Sequence, residues 1–416
     1  MKVIHINHSD ISGGAARAAY RIHHALRNRG IDSRMWVNSV NSDDWTVEGP
    51  NSKFARAFTK ISPAIGQIPR RLLKTENPIM HSSSCLPSSW VKKINNSDAD
   101  VVHMHWVARE MLSIRDIGSI RKPAVWTFHD MWAFCGAEHV TEDFRWKEGY
   151  TMHNRPSYES GFDLNRWVWK RKRRHWKKPM QIVAPSRWMA QCVKTSELMG
   201  KWPVSVIPNT LDVEKWSPAE KLFARQLLHL PSDTPLLLFG AIGGGRAPHK
   251  GFDLLLKALK LLSVRIPKIE LIVFGQLSPE KPPDLGVPVH YTGHLHDDIS
   301  LRMLYSAADA LVVPSKLEAF GQTASEAHSC ATPVIGFKTS GLIDIVDHEV
   351  TGYLAKAFEP ADLANGIEWV MEDRERLEKL GGNARKKAEE NFSYPIVASR
   401  YNEVYEDCIS SWKAGL

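Results

Sequence analysis

A chain of 416 residues, 43% hydrophobic and 24% charged, is too long for one ordinary core, and two globular domains are expected. The formal charge of +8 resides in one stretch, "RWVWKRKRRHWKK" (166–178), with eight Lys or Arg and no acid, which weighs against a uniformly basic nucleic-acid binder. No apolar run approaches a bilayer span, "MKVIHINHSD" lacks the apolar core of a signal peptide, and five scattered cysteines without a C-x-x-C fit reduced thiols in a cytosol.

The predicted elements alternate. "MKVIHIN" reads as a strand, "SDISGGAAR" as a Gly-rich turn, "AAYRIHHALRNRG" as a helix closed by Gly30, and "SRMWVNS" as a second strand. "VVHMHWV", "AVWTFHD", "QIVAPS" and "VSVIPNT" follow, each a strand ending in polar or turn residues. After a Pro- and charge-rich linker at about 212–234, a second series runs "PLLLFGAI", "IELIVFG", "VHYTGHL", "ADALVVPS" and "PVIGF", with helical patterns between. The alternation predicts an α/β protein with two doubly wound domains, 1–210 and 211–390. The amphipathic helix of 391–416 is expected to pack back on the first. Thirteen of the fifteen tryptophans lie at or before Trp216, and most are read as packing residues.

Two loops follow strands and precede helices, "SDISGGAARA" (9–18) and "GAIGGGRAPHKG" (240–251). Glycine there permits positive φ and lets backbone amides approach an anion at a helix N-terminus. The second loop adds Arg246 and Lys250, which can neutralise a phosphate. It is no P-loop, because Gly251 follows the lysine, and Pro248 breaks G-x-G-x-x-G, so dinucleotide-dependent hydride transfer loses its support. One such loop per domain suits a cleft that holds a diphosphate.

"KLEAFGQTASEAHS" (316–329) sets Glu318 and Glu326 eight positions apart around Phe320 and Gly321. The preceding "ADALVVPS" reads as a buried strand and the following residues as a helix from near Phe320. Glu318 then lies at the carboxyl end of a strand, where open parallel sheets bind ligands, and Glu326 about two turns into the helix. By spacing alone, a capping carboxylate followed by a solvent-facing one is an equal reading.

The ordered set "SGGAAR", "TFHD", "VAPSRWM", "VIPNTLD", "HKGFDLLLKAL", "YTGHL", "ADALVVPS" and E-x7-E resembles the retaining family 4 glycosyltransferases (glycosyl transferases group 1) over nearly the whole chain. "TFHDMWAFCGAEH" looks most like the bacterial exopolysaccharide, capsule and O-antigen enzymes. The resemblance implies the GT-B fold, two facing Rossmann-like domains with a deep cleft, and transfer of a sugar from a UDP- or GDP-linked donor to a saccharide or lipid-linked saccharide acceptor. It places Gly13 and Gly14 near the donor phosphate, His129 at the donor sugar, and Arg246 and Lys250 on the diphosphate. Glu318 then meets donor sugar hydroxyls, Glu326 the ribose, and the helix start at Phe320, Gly321 and Gln322 the diphosphate. His129, Glu318, Arg246 and Lys250 are the catalytic candidates. No cofactor and no metal are expected, since cations and helix amides can stabilise the leaving diphosphate. "DAD" (98–100) is taken as a chance match to a metal motif, and His103 and His105 as core or cleft lining rather than zinc ligands. The chain departs from the usual family pattern at Ala319, Ala331, Ser340 and Asp344, of which Ala319, Ala331 and Ser340 stand where glycine is common.

Two other readings share these residues. A nucleotide-sugar epimerase or phosphorylase of the same fold would need extra acid/base carboxylates or a pyridoxal lysine, and no such motif is visible. A non-catalytic nucleotide-sugar or polyanion binder would follow from the basic run, but His129, Lys250, Glu318 and Glu326 weigh against it. The segments 52–74, with six cations and no acid, and 166–178, with Trp167, Trp169 and Trp176, suggest peripheral contact with an anionic inner membrane face, the other reading of 166–178 being a solvated helix that packs its tryptophans inward.

Overall fold

The structure, a computed structural model, describes residues 1–240, 248–266, 268–295 and 297–415. The chain divides into two compact units, Met1–Thr210 with Val397–Leu416, and Leu211–Ile396.

The strands of the first unit are β1 (Lys2–Ser9), β2 (Asp32–Ser39), β3 (Val47–Glu48), β4 (Leu73–Thr75), β5 (Val101–Met104), β6 (Ala124–Thr127), β7 (Glu159–Gly161), β8 (Gln181–Ala184) and β9 (Val204–Val206). Seven form a parallel sheet in the order β3-β2-β1-β5-β6-β8-β9, while β4 and β7 pair as a short antiparallel ribbon. The second unit carries β10 (Leu236–Gly240), β11 (Glu270–Phe274), β12 (Val289–Gly293), β13 (Ala310–Val313), β14 (Val334–Phe337) and β15 (Gly352–Ala355), ordered β12-β11-β10-β13-β14-β15. Both sheets are wound outward from their first strand and then outward again on its other side. Each therefore has a reversal of strand order, at β1/β5 and at β10/β13, and the crevice above the carboxyl ends there is the binding position of such sheets.

Parallel strands covered on both faces read as near-continuous apolar runs, and β5, β6, β13 and β14 are buried at every residue, with His103 and Thr127 as polar exceptions that bond each other. In β10, Leu236 and Leu238 face one core, and Leu237 and Phe239 the other.

The terminal helix, Tyr394–Lys413, buries Val397, Ala398, Tyr401 and Tyr405 in the first unit. Its Tyr405 hydroxyl lies 2.7 Å from His103 Nδ1, and Cys408 Sγ reaches the Ala124 carbonyl at 3.6 Å. The boundary between units falls at 396/397 rather than after 390, because Phe392 belongs to the second core and its carbonyl accepts from Leu211 N at 2.8 Å.

The basic run takes the inward-packing reading rather than the membrane-facing one. It forms the helix Leu164–His175, and Trp169 and Trp176 turn inward. Lys172 is wholly buried, donating to the carbonyls of Trp132, Cys135 (3.1 Å) and Gly136 (2.7 Å) and lying 3.9 Å above the Trp132 ring. Burial pushes its pKa down to about 7. Two of three supposed membrane-anchoring tryptophans and one cation thus fill core positions. In contrast, the helix Lys53–Gly66, which runs through Pro63, leaves Phe54, Ile61 and Ile65 exposed, with Ile68 and Leu72 exposed just beyond it.

Candidate active site

In the second unit the reversal at β10/β13 gathers the charged residues. Lys250 ends a short 3-10 turn, Pro248–Lys250, ahead of the helix Phe252–Arg265. Gly251 between them holds φ +68°, and a Cβ there would meet the Pro314 carbonyl oxygen at 1.9 Å. Only glycine lets the lysine turn pack against the loop leaving β13. That loop brings Glu318 to Lys250, with Nζ to Oε1 at 2.5 Å. Ser315 Oγ donates to the same carboxylate oxygen at 2.8 Å, and the Glu318 N–H donates to Ser340 Oγ at 2.9 Å. Burial opposes ionisation of Glu318, but the Lys250 charge and these hydrogen bonds outweigh it and hold the carboxyl below the usual range.

The following helix is Gln322–Ser329, preceded by Gly321 at φ +109°. Glu326 lies about one turn into it rather than two. It is buried, not solvent-facing, and accepts from the Tyr305 hydroxyl at 3.0 Å. Phe320 is also buried, in the core beneath the loop. Arg246 falls outside the described residues. Lys250, Glu318, Gly321, Gln322 and Glu326 lie around the same carboxyl edge, where a cation, an N-terminal set of amides and two carboxylates can meet a phosphorylated, hydroxyl-bearing ligand. The support from Ser340 and Tyr305 was not visible in spacing, since each meets its glutamate through the fold, whereas Ser315 lies only three residues before Glu318.

In the first unit the equivalent edge carries a row of imidazoles, with Arg109 and Asp130 among its charged groups. Gly13, at φ +95°, precedes the helix Gly14–Asn28, whose first turn has no acidic residue. A cavity of about 380 Å³ opens there, lined by Asn7, His8, Ser12, Gly13, Gly14 and Arg109 among others. His129 follows β6 and is partly exposed. Its Nε2 lies 3.1 Å from His105 Nδ1, and His105 Nε2 lies 2.8 Å from His5 Nδ1. The adjacent Asp130 accepts from Trp106 Nε1 at 2.7 Å and pairs with His139 Nδ1 at 2.6 Å, fixing the "TFHD" loop. Burial pushes His129 down to about 4, against the weaker opposing pull of Asp130, and pushes His5 down to about 3.

A family model described as Glycosyltransferase Family 4 matches residues 12–215, and one described as Glycosyl transferases group 1 matches 231–387. The chain belongs to this glycosyltransferase family. A D-inositol 3-phosphate glycosyltransferase of Catenulispora acidiphila is 30% identical over 51% of the chain and 52% of its own length. The chain thus spans about half the length of the curated relatives it matches at this identity. Another, of Stackebrandtia nassauensis, is 24% identical over 92% of the chain and 84% of its own length. Among solved structures, sucrose-phosphate synthase of Thermosynechococcus elongatus matches 99% of the glycosyltransferase with a TM-score of 0.66 at 17% identity, and covers 100% of that chain. HepE of Anabaena, solved in complex with UDP-glucose, matches 100% of both chains with a TM-score of 0.63 at 18% identity. These structural likenesses establish the GT-B fold.

Proposed function

We propose that the glycosyltransferase moves a sugar from a nucleotide-diphosphate donor to a saccharide acceptor, lipid-linked, with retention of configuration, in the building of a cell-surface polysaccharide. The observation that carries the donor half is the Lys250–Glu318 pair beside the Gln322–Ser329 helix start and buried Glu326. Lys250 and the helix amides stabilise charge growing on the departing diphosphate. Glu318 and Glu326 accept hydrogen bonds from sugar and ribose hydroxyls. The complex of HepE with UDP-glucose makes that donor the first to test. No cofactor or metal enters this reading. The first unit takes the acceptor, and the exposed apolar and basic segment 52–74, rather than 166–178, is the surface that meets an anionic membrane. Among the described residues no helix is long and apolar enough to cross one.

A panel of UDP- and GDP-sugars tests the reading by released nucleotide diphosphate and donor-dependent thermal stabilisation. Release by one donor, persisting in excess EDTA, supports it. Stabilisation without release on any saccharide would leave a binding protein, and loss in EDTA restored by magnesium would overturn metal independence.

A further inference from the structure

The first unit holds a row of imidazoles that the reading above does not use. His5 on β1 and His103 on β5 are register partners in the parallel sheet, and His105 follows on the same face of the chain. Their ring nitrogens come within 4.8 Å of one another, as the ligands of a metal would. The geometry favours hydrogen bonding instead. His103 has both nitrogens engaged, Nδ1 with the Tyr405 hydroxyl and Nε2 with Thr127 Oγ1, each at 2.7 Å. His5 Nδ1 and His105 Nε2 face each other at 2.8 Å, closer than the ~3.3 Å between two nitrogens on a tetrahedral zinc at about 2.0–2.1 Å from each. They share a proton.

What remains is a three-ring chain, His5–His105–His129, with two hydrogen bonds and two ends. The inner end, His5 Nε2, is buried and has no hydrogen-bond partner. The outer end is His129 Nδ1, on a ring that is partly exposed. With all rings neutral, only two proton arrangements satisfy both bonds, and they differ in what the ends carry. In one, His5 Nε2 bears a buried hydrogen with no acceptor, and His129 Nδ1 is bare. In the other, His5 Nε2 keeps a buried lone pair, and His129 Nδ1 bears the hydrogen. An orphaned buried N–H is the rarer defect in proteins, so the second arrangement prevails. Burial keeps the rings neutral, with His105 held well below its ordinary range and His5 and His129 at about 3 and 4.

We infer that His5 and His105 are positioning residues that fix the tautomer of His129, so that its Nδ1 presents a hydrogen-bond donor rather than a base. His5 Nδ1–H donates to His105 Nε2, and His105 Nδ1–H donates to His129 Nε2. A neutral donor of this kind can hold an oxygen on the reacting sugar or its leaving group without itself changing charge. That last step rests on the transferase reading; the tautomer does not.

The test is a long-range proton–nitrogen correlation spectrum of the full chain labelled with 15N-histidine, which separates protonated from bare ring nitrogens. His5, His105 and His129 are each expected to show Nδ1–H and bare Nε2, the less common form of histidine in water. In His105→Phe, which removes the donor to His129 Nε2, the partly exposed His129 ring should revert to the Nε2–H form commoner in water, and kcat should fall about ten-fold, the equivalent of one hydrogen bond, at unchanged donor KM. His5→Asn places an amide N–H where the imidazole Nδ1–H stood, and should keep both pattern and turnover. An Nε2–H signal for His129 in the unaltered chain would overturn the inference, as would equal loss of turnover in the Phe and Asn variants. Should no donor be turned over, the spectrum of the unaltered chain still decides it, and only the transferase reading fails.

Discussion

The two units repeat one winding order and place their candidate residues at the same edge, yet their chemistry is opposite. Above β10/β13 a lysine, two glutamates and a helix N-terminus meet, and the ion pair keeps Glu318 ionised despite burial. Above β1/β5 the row is of imidazoles that burial holds neutral. Topology therefore chooses where a ligand sits, while the side chains at the strand ends decide whether charge or neutral hydrogen bonding greets it. The charged edge suits a diphosphate. The neutral imidazole row suits hydroxyl groups.

The contrast breaks most visibly at Lys250. Lys250→Ala should lower nucleotide diphosphate release by about 10²–10³-fold, the loss typical of one preorganised donor to developing charge. A change below three-fold in steady-state release would remove the lysine from the reaction. Glu326→Ala should weaken nucleotide diphosphate binding by roughly 1.5–3 kcal/mol, that of a charge-assisted hydrogen bond, whereas Glu318→Ala should act mainly on turnover. Calorimetric titration with UDP and GDP, without sugar, checks the first, and unchanged affinity would contradict the ribose assignment.

Mild acid should separate the units. A histidine whose folded pKa lies below its unfolded value of about 6.5 contributes stability in full above pH 6.5, and loses it as pH falls towards the folded value. In the first unit burial lowers His5 to about 3, His23 to about 2, and His8, His81 and His129 to about 4, with His103 and His105 well below normal. Burial raises Glu138 to about 7 and raises Glu110, which runs the other way, but the histidines outnumber them. The second unit has His328, at about 3, and His249. Thirteen of the fifteen tryptophans lie in the first unit, so intrinsic fluorescence reports on it. Its melting temperature should drop between pH 6.5 and 4.5 more steeply than that of amide-exchange protection in β10–β15. Parallel loss in both would refute the difference.

The smallest effect concerns two departures from the family's glycines. Ala331 and Ser340 hold φ of +57° and +49°, where a Cβ costs about 1 kcal/mol. Ala331→Gly should raise stability by no more than about 0.6 kcal/mol after the roughly 0.4–1 kcal/mol of added freedom in the unfolded glycine is counted, measured by urea unfolding. Ser340→Gly gains the same relief but loses the acceptor for the Glu318 N–H, and should lower turnover without a stability gain.

Periodicity alone placed most of the strands and the first Gly-rich turn, because local apolar patterning and turn chemistry need no distant partner. It missed the short β3, β4, β7 and β15, and 212–234, read as a linker, carries the helix Lys221–Leu227 and packs Val213 and Trp216 into the second core. Most of the second Gly-rich loop lies outside the described residues. The family motifs located Lys250, Glu318 and Glu326 by position, and the fold then showed Glu326 buried against Tyr305 rather than facing solvent. The sequence misled at 166–178, where eight cations looked like a surface and Lys172 proved to be a buried staple for three carbonyls. A charge run does not reveal which of its members finds acceptors in the interior. Nor could spacing join His5, His105 and His129, which are strand neighbours separated by 100 and 24 residues. Only parallel pairing of β1 with β5 and β5 with β6 brings those rings within one hydrogen bond of each other, since contact across a sheet is fixed by register and not by distance along the chain.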